Sequence, residues 1–301
     1  MQRRRFMQCL AWAGTGLVWA ARGGVLSATT LGEAMAAGAD FTFAQISDTH
    51  VGFGGEANKD VLGTLRDSIA GINALEPRPS FVLHTGDLSH GQKSGAFDTL
   101  AESLRAVRAE KIFYIPGEHD VAIDGGKEYL ARYGAGTYEG RGFQSFDYRG
   151  VHFVGLVNVL SYKPGVGGAL GDEQLVWLRK DLEAQAASTP IVVFSHVPLW
   201  AVYPAWGWTT ADGEQAIGML RRFGSVTALN GHIHQVLQKV EGNITFHSTR
   251  STAYPQPAPG AAPTPGPMKV PADQLRRVLG VREVRYVEGT APLAVVERAL
   301  A

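Results

Sequence analysis

Five short clusters of histidine and acidic residues could hold metal ions, because each directly follows an apolar run that predicts a β-strand. The clusters are Asp48-Thr49-His50, Gly86-Asp87, Gly117-Glu118-His119-Asp120, His196 and Gly231-His232-Ile233-His234. In open α/β sheets, ligands collect beyond the carboxyl ends of the strands. A single cluster is better explained as a turn, a helix cap or a core histidine. All five in this position predict one common site.

These residue types suit a pair of metal ions that hydrolyse an ester. A carboxylate can bridge two ions about 3.5–4 Å apart, and imidazoles favour Mn, Fe or Zn over Mg or Ca. Water bridged between the ions would lose its proton near neutral pH and attack phosphorus. The chain has one cysteine, Cys9, so His, carboxylate or amide groups must supply the ligands.

Alternating strand and helix patterns predict the frame that positions the clusters. The predicted strands are Phe41–Ile46, Phe81–Thr85, Ile112–Ile115, Val151–Val157, Ile191–Ser195 and Val226–Leu229. The predicted helices are Val61–Leu75, Phe97–Val107, Glu173–Leu182 and Glu214–Phe223. This order indicates an α/β fold with a largely parallel sheet. Three further strands are predicted as antiparallel additions: Phe143–Tyr148, Val236–Val240 and Ile244–His247.

The C-terminal part of the chain is interrupted by a proline-rich stretch. Seven of the 15 prolines lie between Pro255 and Pro271, mixed with Gly and Ala, which predicts neither helix nor sheet over 255–271. A short helix is predicted at Gln274–Leu279, with strands at Arg282–Val287 and Leu293–Glu297. Because so short a segment rarely forms its own core, residues 272–301 are expected to complete the domain that spans 38–254.

The N-terminus predicts an export signal over residues 1–37. Arg3-Arg4-Arg5-Phe6 precedes an apolar run from Cys9 to Ala21, and small residues surround Met35. The Arg-Arg-x-Phe order resembles the twin-arginine signal, so the precursor is expected to use that export machinery and reach the periplasm or the exterior. The alternative is a retained anchor helix, although the run is short for a stable membrane span.

Bulk composition narrows the class of partner. Lys plus Arg and Asp plus Glu both number 28, so the formal net charge is zero. A protein that binds a nucleic-acid polymer usually carries a basic excess, and none is expected as a partner here. Hydrophobic residues make up 45% of the chain and charged residues 19%, which is typical of a globular protein.

The ordered series of five clusters resembles the calcineurin-like metallophosphoesterases, and the resemblance covers essentially all of Phe41 to His247. By position, it implies that one metal ion is held by Asp48, His50, Asp87 and His234. It implies a second ion held by Asp87, Glu118, His196 and His232, with hydroxide bridging the pair. His119, followed by Asp120, is assigned to catalysis, with His119 protonating the leaving oxygen. The implied fold is a four-layer α-β-β-α sandwich, in which two mixed sheets pack face to face with helices outside.

Two residues depart from the family's common pattern. The family usually has Asn where this chain has Glu118, and a carboxylate adds negative charge and removes an N–H donor for phosphate. The alternative is that Glu118 is protonated or points away from the site. His90 stands where phosphoprotein phosphatases of the superfamily carry Asp, and resembles its phosphodiester-cleaving nucleases. His90 is therefore a candidate substrate contact, with an exposed loop residue as the alternative.

An aromatic stretch directly after His196 could cover the site. Trp200 and Trp206 are the predicted substrate contacts, and the alternative is that these rings pack in the core.

The expected function is hydrolysis of a small phosphodiester or phosphomonoester at two divalent or trivalent ions (Mn, Fe or Zn), with a phosphodiester favoured. One alternative is a catalytically weakened metal-binding or scaffold protein, and another is a different enzyme class on a similar metal site.

Overall fold

The computed structural model describes residues 17–22, 25–30, 39–93 and 95–301. Strand β1 (Leu17–Arg22) pairs antiparallel with β2 (Val25–Thr30) in a separate two-stranded sheet. Most of the predicted signal, including Arg3 and Arg4, lies outside the described residues, so export remains a prediction. None of the described helices has the length and apolar character that a bilayer crossing requires.

The first large sheet has five strands in the order β13-β12-β3-β4-β5. Their bounds are Ala39–Ile46 for β3, Phe81–Thr85 for β4, Lys111–Ile115 for β5, Gly280–Val287 for β12 and Ala294–Ala299 for β13. Strands β3, β4 and β5 run parallel, while β12 runs antiparallel to both β3 and β13. The segment after the proline-rich stretch therefore adds two strands to this sheet.

The second large sheet has six strands in the order β10-β11-β9-β8-β7-β6. Their bounds are Gln144–Tyr148 for β6, Val151–Gly155 for β7, Ile191–Ser195 for β8, Val226–Asn230 for β9, Leu237–Glu241 for β10 and Ile244–Ser248 for β11. The antiparallel predictions hold for β6 and β10. The antiparallel prediction for β11 holds only in part, because β11 runs antiparallel to β10 but lies between β10 and β9 and runs parallel to β9.

Six α-helices among the described residues cover the sheets. They are α1 (Val61–Asn73), α2 (Ala96–Leu104), α3 (Lys127–Tyr133), α4 (Asp172–Glu183), α5 (Gly213–Leu220) and α6 (Ala272–Val278). Helix α1 begins at a side-chain cap, in which Gly63 N donates to Asp60 Oδ1 at 2.8 Å. Sequence patterns predicted all of these helices except α3, which is only two turns long.

The order of the layers is visible in how neighbouring residues of one strand face different cores. In β4, Val82 packs with α1 and α2, while Phe81 and Leu83 pack between the two sheets. In β8, Val193 packs with α4 and α5, while Phe194 joins the layer between the sheets. This period-two alternation of apolar residues on both faces is what a doubly covered strand requires. The predicted four-layer α-β-β-α sandwich is confirmed.

Candidate metal centre

The carboxyl ends of β3, β4, β5, β8 and β9 meet at one edge of the sandwich and bring the five clusters together. Within the first sheet, Asp48 N donates to the Gly86 carbonyl at 2.9 Å. Within the second sheet, Gly231 N donates to the His196 carbonyl at 3.1 Å. Between the sheets, His232 N lies 3.2 Å from Asp48 Oδ1. The predicted convergence is therefore found, and the site spans the two sheets.

One group of three buried side chains is formed by Asp48, His50 and His234. His234 Nε2 lies 3.1 Å from Asp48 Oδ1 and 3.4 Å from His50 Nε2. Burial, together with the neighbouring His119 and His234, holds the pKa of His50 well below its usual value. A neutral imidazole is the form that binds a cation.

A second group is formed by Glu118, His196 and His232. Glu118 Oε2 lies 2.9 Å from His196 Nε2, and Glu118 Oε1 lies 3.1 Å from His232 Nδ1. Burial alone would raise the pKa of Glu118, but His232 and His196 outweigh it and hold this pKa well below its usual value. Glu118 thus points into the site, which excludes the alternative that it points away, and its lowered pKa favours the carboxylate form.

Asp87 lies between the two groups. Its Oδ2 atom is 3.5 Å from His50 Nε2 on one side and 3.5 Å from His196 Nε2 on the other. Its Oδ1 atom accepts a hydrogen bond from His119 N at 2.9 Å. This is the position that a carboxylate shared by two cations must occupy.

The ring orientations fit metal ions. His196 Nδ1 lies 2.7 Å from the Thr85 carbonyl oxygen and His234 Nδ1 lies 2.6 Å from that of Tyr254, so each Nδ1–H donates and each Nε2 keeps its lone pair for a cation. The Nε2 atom of His232 is buried and forms no hydrogen bond within the described part of the chain. Buried polar atoms rarely stay unsatisfied, and a bound cation would satisfy this one.

The backbone around these side chains adopts the left-handed conformation at five non-glycine positions. The φ angles are 56° at Asp48, 41° at His50, 53° at Asp87, 67° at His232 and 58° at His234. Such a conformation costs about 1–3 kcal/mol for a non-glycine residue and clusters at functional sites. All five belong to the predicted ligand set. The loops therefore adopt a backbone conformation of higher energy that positions these side chains.

Gly117 permits a close approach that no other residue would allow. A Cβ atom at Gly117 would lie 2.1 Å from Asp87 Oδ1 and 2.3 Å from Asp87 N. The loops after β4 and β5 can therefore touch only because this position lacks a side chain.

His119 and His90 form a stacked pair beside Asp87. Their ring centroids are 4.6 Å apart with planes 22° from parallel, and the edge of His50 approaches His119 at 4.9 Å. Both rings line the cavity in front of the site. His119 also falls within metal-binding distance of His50 with His90, and of Asp87 with Glu118, so geometry alone allows it to be a ligand.

Asp120 does not occupy the catalytic position predicted from the sequence. Its carboxylate is fully buried and accepts hydrogen bonds from Leu88 N at 3.0 Å, Ser89 N at 2.8 Å and Gly117 N at 2.9 Å. Burial, and then the charge of Asp87, raise the pKa of Asp120 to about 7. Asp120 joins the loops after β4 and β5 and is a positioning residue.

The aromatic prediction is corrected in its residues. The ring centroid of Trp200 lies 6.1 Å from that of Phe246, and the ring centroid of Trp206 lies 5.0 Å from that of Trp208. Neither Trp200 nor Trp206 lines the cavity. Trp208, which the sequence did not single out as a contact, lines the cavity instead. Trp200 is partly buried and packs against the core beneath α4 and α5, in agreement with the alternative that these rings pack in the core.

Two further cavity residues, Tyr254 and Gln256, were missed because they lie beside and within the proline-rich stretch. The Tyr254 hydroxyl lies 3.0 Å from His50 Nε2, and its ring stacks on His50 at 4.7 Å. Gln256 Nε2 donates to the His232 carbonyl at 2.8 Å. Neither residue belongs to a motif, so no local sequence signal marks them.

Comparison with known proteins gives one family match: the model of the calcineurin-like phosphoesterases matches residues 41–236. A probable cyclic nucleotide phosphodiesterase of Rhodopseudomonas palustris is 27% identical over 223 residues, covering 70% of this chain and 78% of the relative. A probable glycerophosphodiester phosphodiesterase of Arcobacter nitrofigilis is 26% identical over 218 residues, again covering 70% and 78%.

Solved structures show the same fold at low sequence identity. A dimetal phosphatase from Danio rerio superposes with a TM-score of 0.65 at 16% identity, covering 87% of this chain and 97% of that one. A purple acid phosphatase from yellow lupin superposes with a TM-score of 0.63 at 11% identity, covering 86% of this chain and 51% of that one.

Proposed function

The chain belongs to the calcineurin-like phosphoesterase family, and from that premise we propose that it is a phosphodiesterase with two metal ions placed on either side of Asp87. It is a metal-dependent phosphoric ester hydrolase, and relatives named as phosphodiesterases favour diester cleavage. The observation that carries the proposal is the position of Asp87 Oδ2, which is 3.5 Å from a histidine of each ligand group.

Each ion would have its own set of side chains. Asp48, His50 and His234 would hold the first ion, Glu118, His196 and His232 would hold the second, and Asp87 would serve both. The cations would supply the Lewis acid that polarises the phosphoryl group and acidifies water. The protein contributes fixed ring orientations, through the Thr85 and Tyr254 carbonyls, and a largely buried site.

His119 would donate a proton to the leaving oxygen. Its backbone N–H is fixed on Asp87 Oδ1, its ring stacks on His90, and its side chain lines the cavity. A phosphate held at the metal ions would lie next to this imidazole, as general acid catalysis requires.

The charge of the cavity favours a diester over a monoester. The cavity wall, within the described part of the chain, includes no lysine or arginine, and Glu118 adds a carboxylate. A phosphomonoester carries close to two negative charges near neutral pH, because its second pKa is about 6, whereas a diester carries one. The carboxylate of Glu118 offsets part of the charge of the two cations and so weakens the attraction of the site for the second negative charge of a monoester.

Diester preference is expected to appear as a higher kcat/KM for an aryl phosphodiester than for the corresponding aryl phosphomonoester. Two unit charges 4 Å apart repel by about 4 kcal/mol at an effective dielectric constant of 20. A third of that energy corresponds to about a tenfold difference in kcat/KM. The measurement is kcat/KM for bis(p-nitrophenyl) phosphate and p-nitrophenyl phosphate on protein with quantified metal content. A faster monoester reaction would contradict the proposal, and bound metal without turnover of either ester would favour the weakened scaffold.

Export by the twin-arginine route is a separate part of the proposal. Replacing Arg3 and Arg4 by lysine is expected to leave the precursor inside the cell, because that route reads the arginine pair. Arg5→Lys is the matched control, since it changes the variable position of the Arg-Arg-x-Phe order. Cell fractionation of the two variants is the measurement, and unchanged export of the double variant would refute this route.

A further inference from the structure

The cavity in front of the candidate metal centre is lined by both polar and apolar side chains. Its volume is about 640 Å³, and its polar lining consists of the clustered histidines and carboxylates together with Tyr162, Tyr254 and Gln256. Its apolar lining, called the apolar wall below, includes Val121, Ala122, Leu160, Pro164, Trp208 and Pro267. A substrate bound at the metal centre would thus also meet hydrocarbon and ring surface.

The apolar wall is rigid on the side of Trp208. This indole is 1% exposed and packs against Trp206 at 5.0 Å in a cluster that also contains Ile233. Packing holds this ring in place where it borders the cavity, so apolar contact with it costs little entropy.

The proline-rich stretch is held against the same cavity. Met268 N donates to the Pro255 carbonyl at 2.8 Å, and Gly266 N donates to Gln256 Oε1 at 3.1 Å. Gln256 Nε2 is in turn bonded to the His232 carbonyl at 2.8 Å. Pro267 is therefore fixed relative to the metal centre, and the residues predicted as an excursion form part of the site.

The same hydrogen bonds leave the Gln256 amide poorly placed to recognise a polar substrate. Both ends of its side chain are engaged by the backbone, through His232 and Gly266. Sugar or glycerol hydroxyls buried against the apolar wall would lose their water partners and gain few others besides the Tyr162 hydroxyl, and such a loss weakens binding.

One residue of the apolar wall is also exposed to solvent. Leu160 lines the cavity and is 53% exposed. An apolar ligand that contacts Leu160 would therefore extend to the opening of the cavity.

We infer that the apolar wall binds a large alkyl or aryl ester group, so that the substrate is a phosphodiester with an apolar alcohol rather than a sugar or glycerol alcohol. This inference rests on the proposed phosphodiesterase function, because the metal centre fixes the phosphate end. It assigns Leu160, Trp208 and Pro267 as specificity-determining residues.

The test compares methyl, butyl and hexyl p-nitrophenyl phosphates, which share one leaving group and differ only in the retained ester. A fully buried methylene is worth about fourfold, so an open cavity is expected to raise kcat/KM by at least about tenfold from methyl to hexyl. The p-nitrophenyl diester of thymidine 5′-phosphate is the polar comparison and is expected to react more slowly than the hexyl ester. A flat series, or a faster nucleoside ester, would overturn the inference.

Leu160→Ser locates the effect. Leu160 is largely exposed, so folding should be unaffected, and the hexyl-to-methyl ratio of kcat/KM is expected to fall several-fold. Val176→Ser is the matched control, because Val176 is also 53% exposed but lies on α4 outside this cavity. An unchanged hexyl-to-methyl ratio in Leu160→Ser would show that the apolar wall does not bind the ester group.

Binding separates this inference from the proposed function. Calorimetry with dimethyl phosphate and hexyl methyl phosphate reports the wall without needing turnover. If no diester is hydrolysed but the hexyl compound binds at least about tenfold tighter, the phosphodiesterase proposal is refuted and binding of an apolar ester group by the wall is supported. If diesters are hydrolysed but the two compounds bind equally, binding by the wall is refuted and the phosphodiesterase proposal is supported.

Discussion

Asp87→Asn is expected to abolish most turnover of an aryl phosphodiester and to lower metal content. Charge stabilisation by bound cations contributes several kcal/mol, and about 1.4 kcal/mol corresponds to tenfold, so the loss in kcat should reach at least about a thousandfold. Asparagine keeps the oxygen that accepts the His119 N–H but removes the negative charge that lies 3.5 Å from both His50 and His196. The measurements are kcat and metal content per protein after dialysis.

The matched control for Asp87→Asn is Asp98→Asn. Asp98 is an exposed carboxylate on α2 that pairs with Arg132 of α3 and does not line the cavity, so its loss should change neither quantity. Full metal content in Asp87→Asn would show that this carboxylate is not shared by two ions. The ligand sets would then need to be redrawn around Asp48, which also approaches His196, at 3.9 Å.

His119→Ala is expected to keep its metal ions and to lose about 10²–10⁴-fold in kcat toward esters with poor leaving groups. The metal should stay because the contact to Asp87 is made by the backbone N–H of His119, which alanine retains. Turnover should fall because the side chain that would protonate the leaving oxygen is gone. The measurements are metal content and kcat for a series of aryl esters with increasingly basic leaving groups.

The leaving-group series is the internal control for His119. An ester whose leaving group departs without a proton should lose far less than one that needs protonation. An equal loss across the series, together with reduced metal content, would identify His119 as a ligand with His50 and His90. An equal loss at full metal content would instead assign His119 to binding the phosphate.

Much of the frame could be predicted from the sequence because its signals are local. Apolar runs such as Phe81–Thr85 and the periodic pattern of Val61–Asn73 fix a strand and a helix from neighbouring residues alone. The direction of β11 could not be predicted, because Ile244–Ser248 reads as the same apolar strand whichever neighbour it pairs with. The choice between parallel and antiparallel pairing is made by contacts far apart in the chain.

The sequence by itself predicted the candidate ligands that the structure brings together, because Asp, Glu and His side chains directly after apolar strands have few other reasons to recur five times in order. Only the tertiary structure decided the roles that depend on where a side chain points. It turned Asp120 inward to the Leu88 and Ser89 amides, and it placed Trp208 rather than Trp206 at the cavity. It also brought Pro267 to the cavity in front of the candidate metal centre. Side-chain direction and the path of an irregular segment follow from packing between residues that are distant in the chain. A local sequence pattern therefore does not predict either feature.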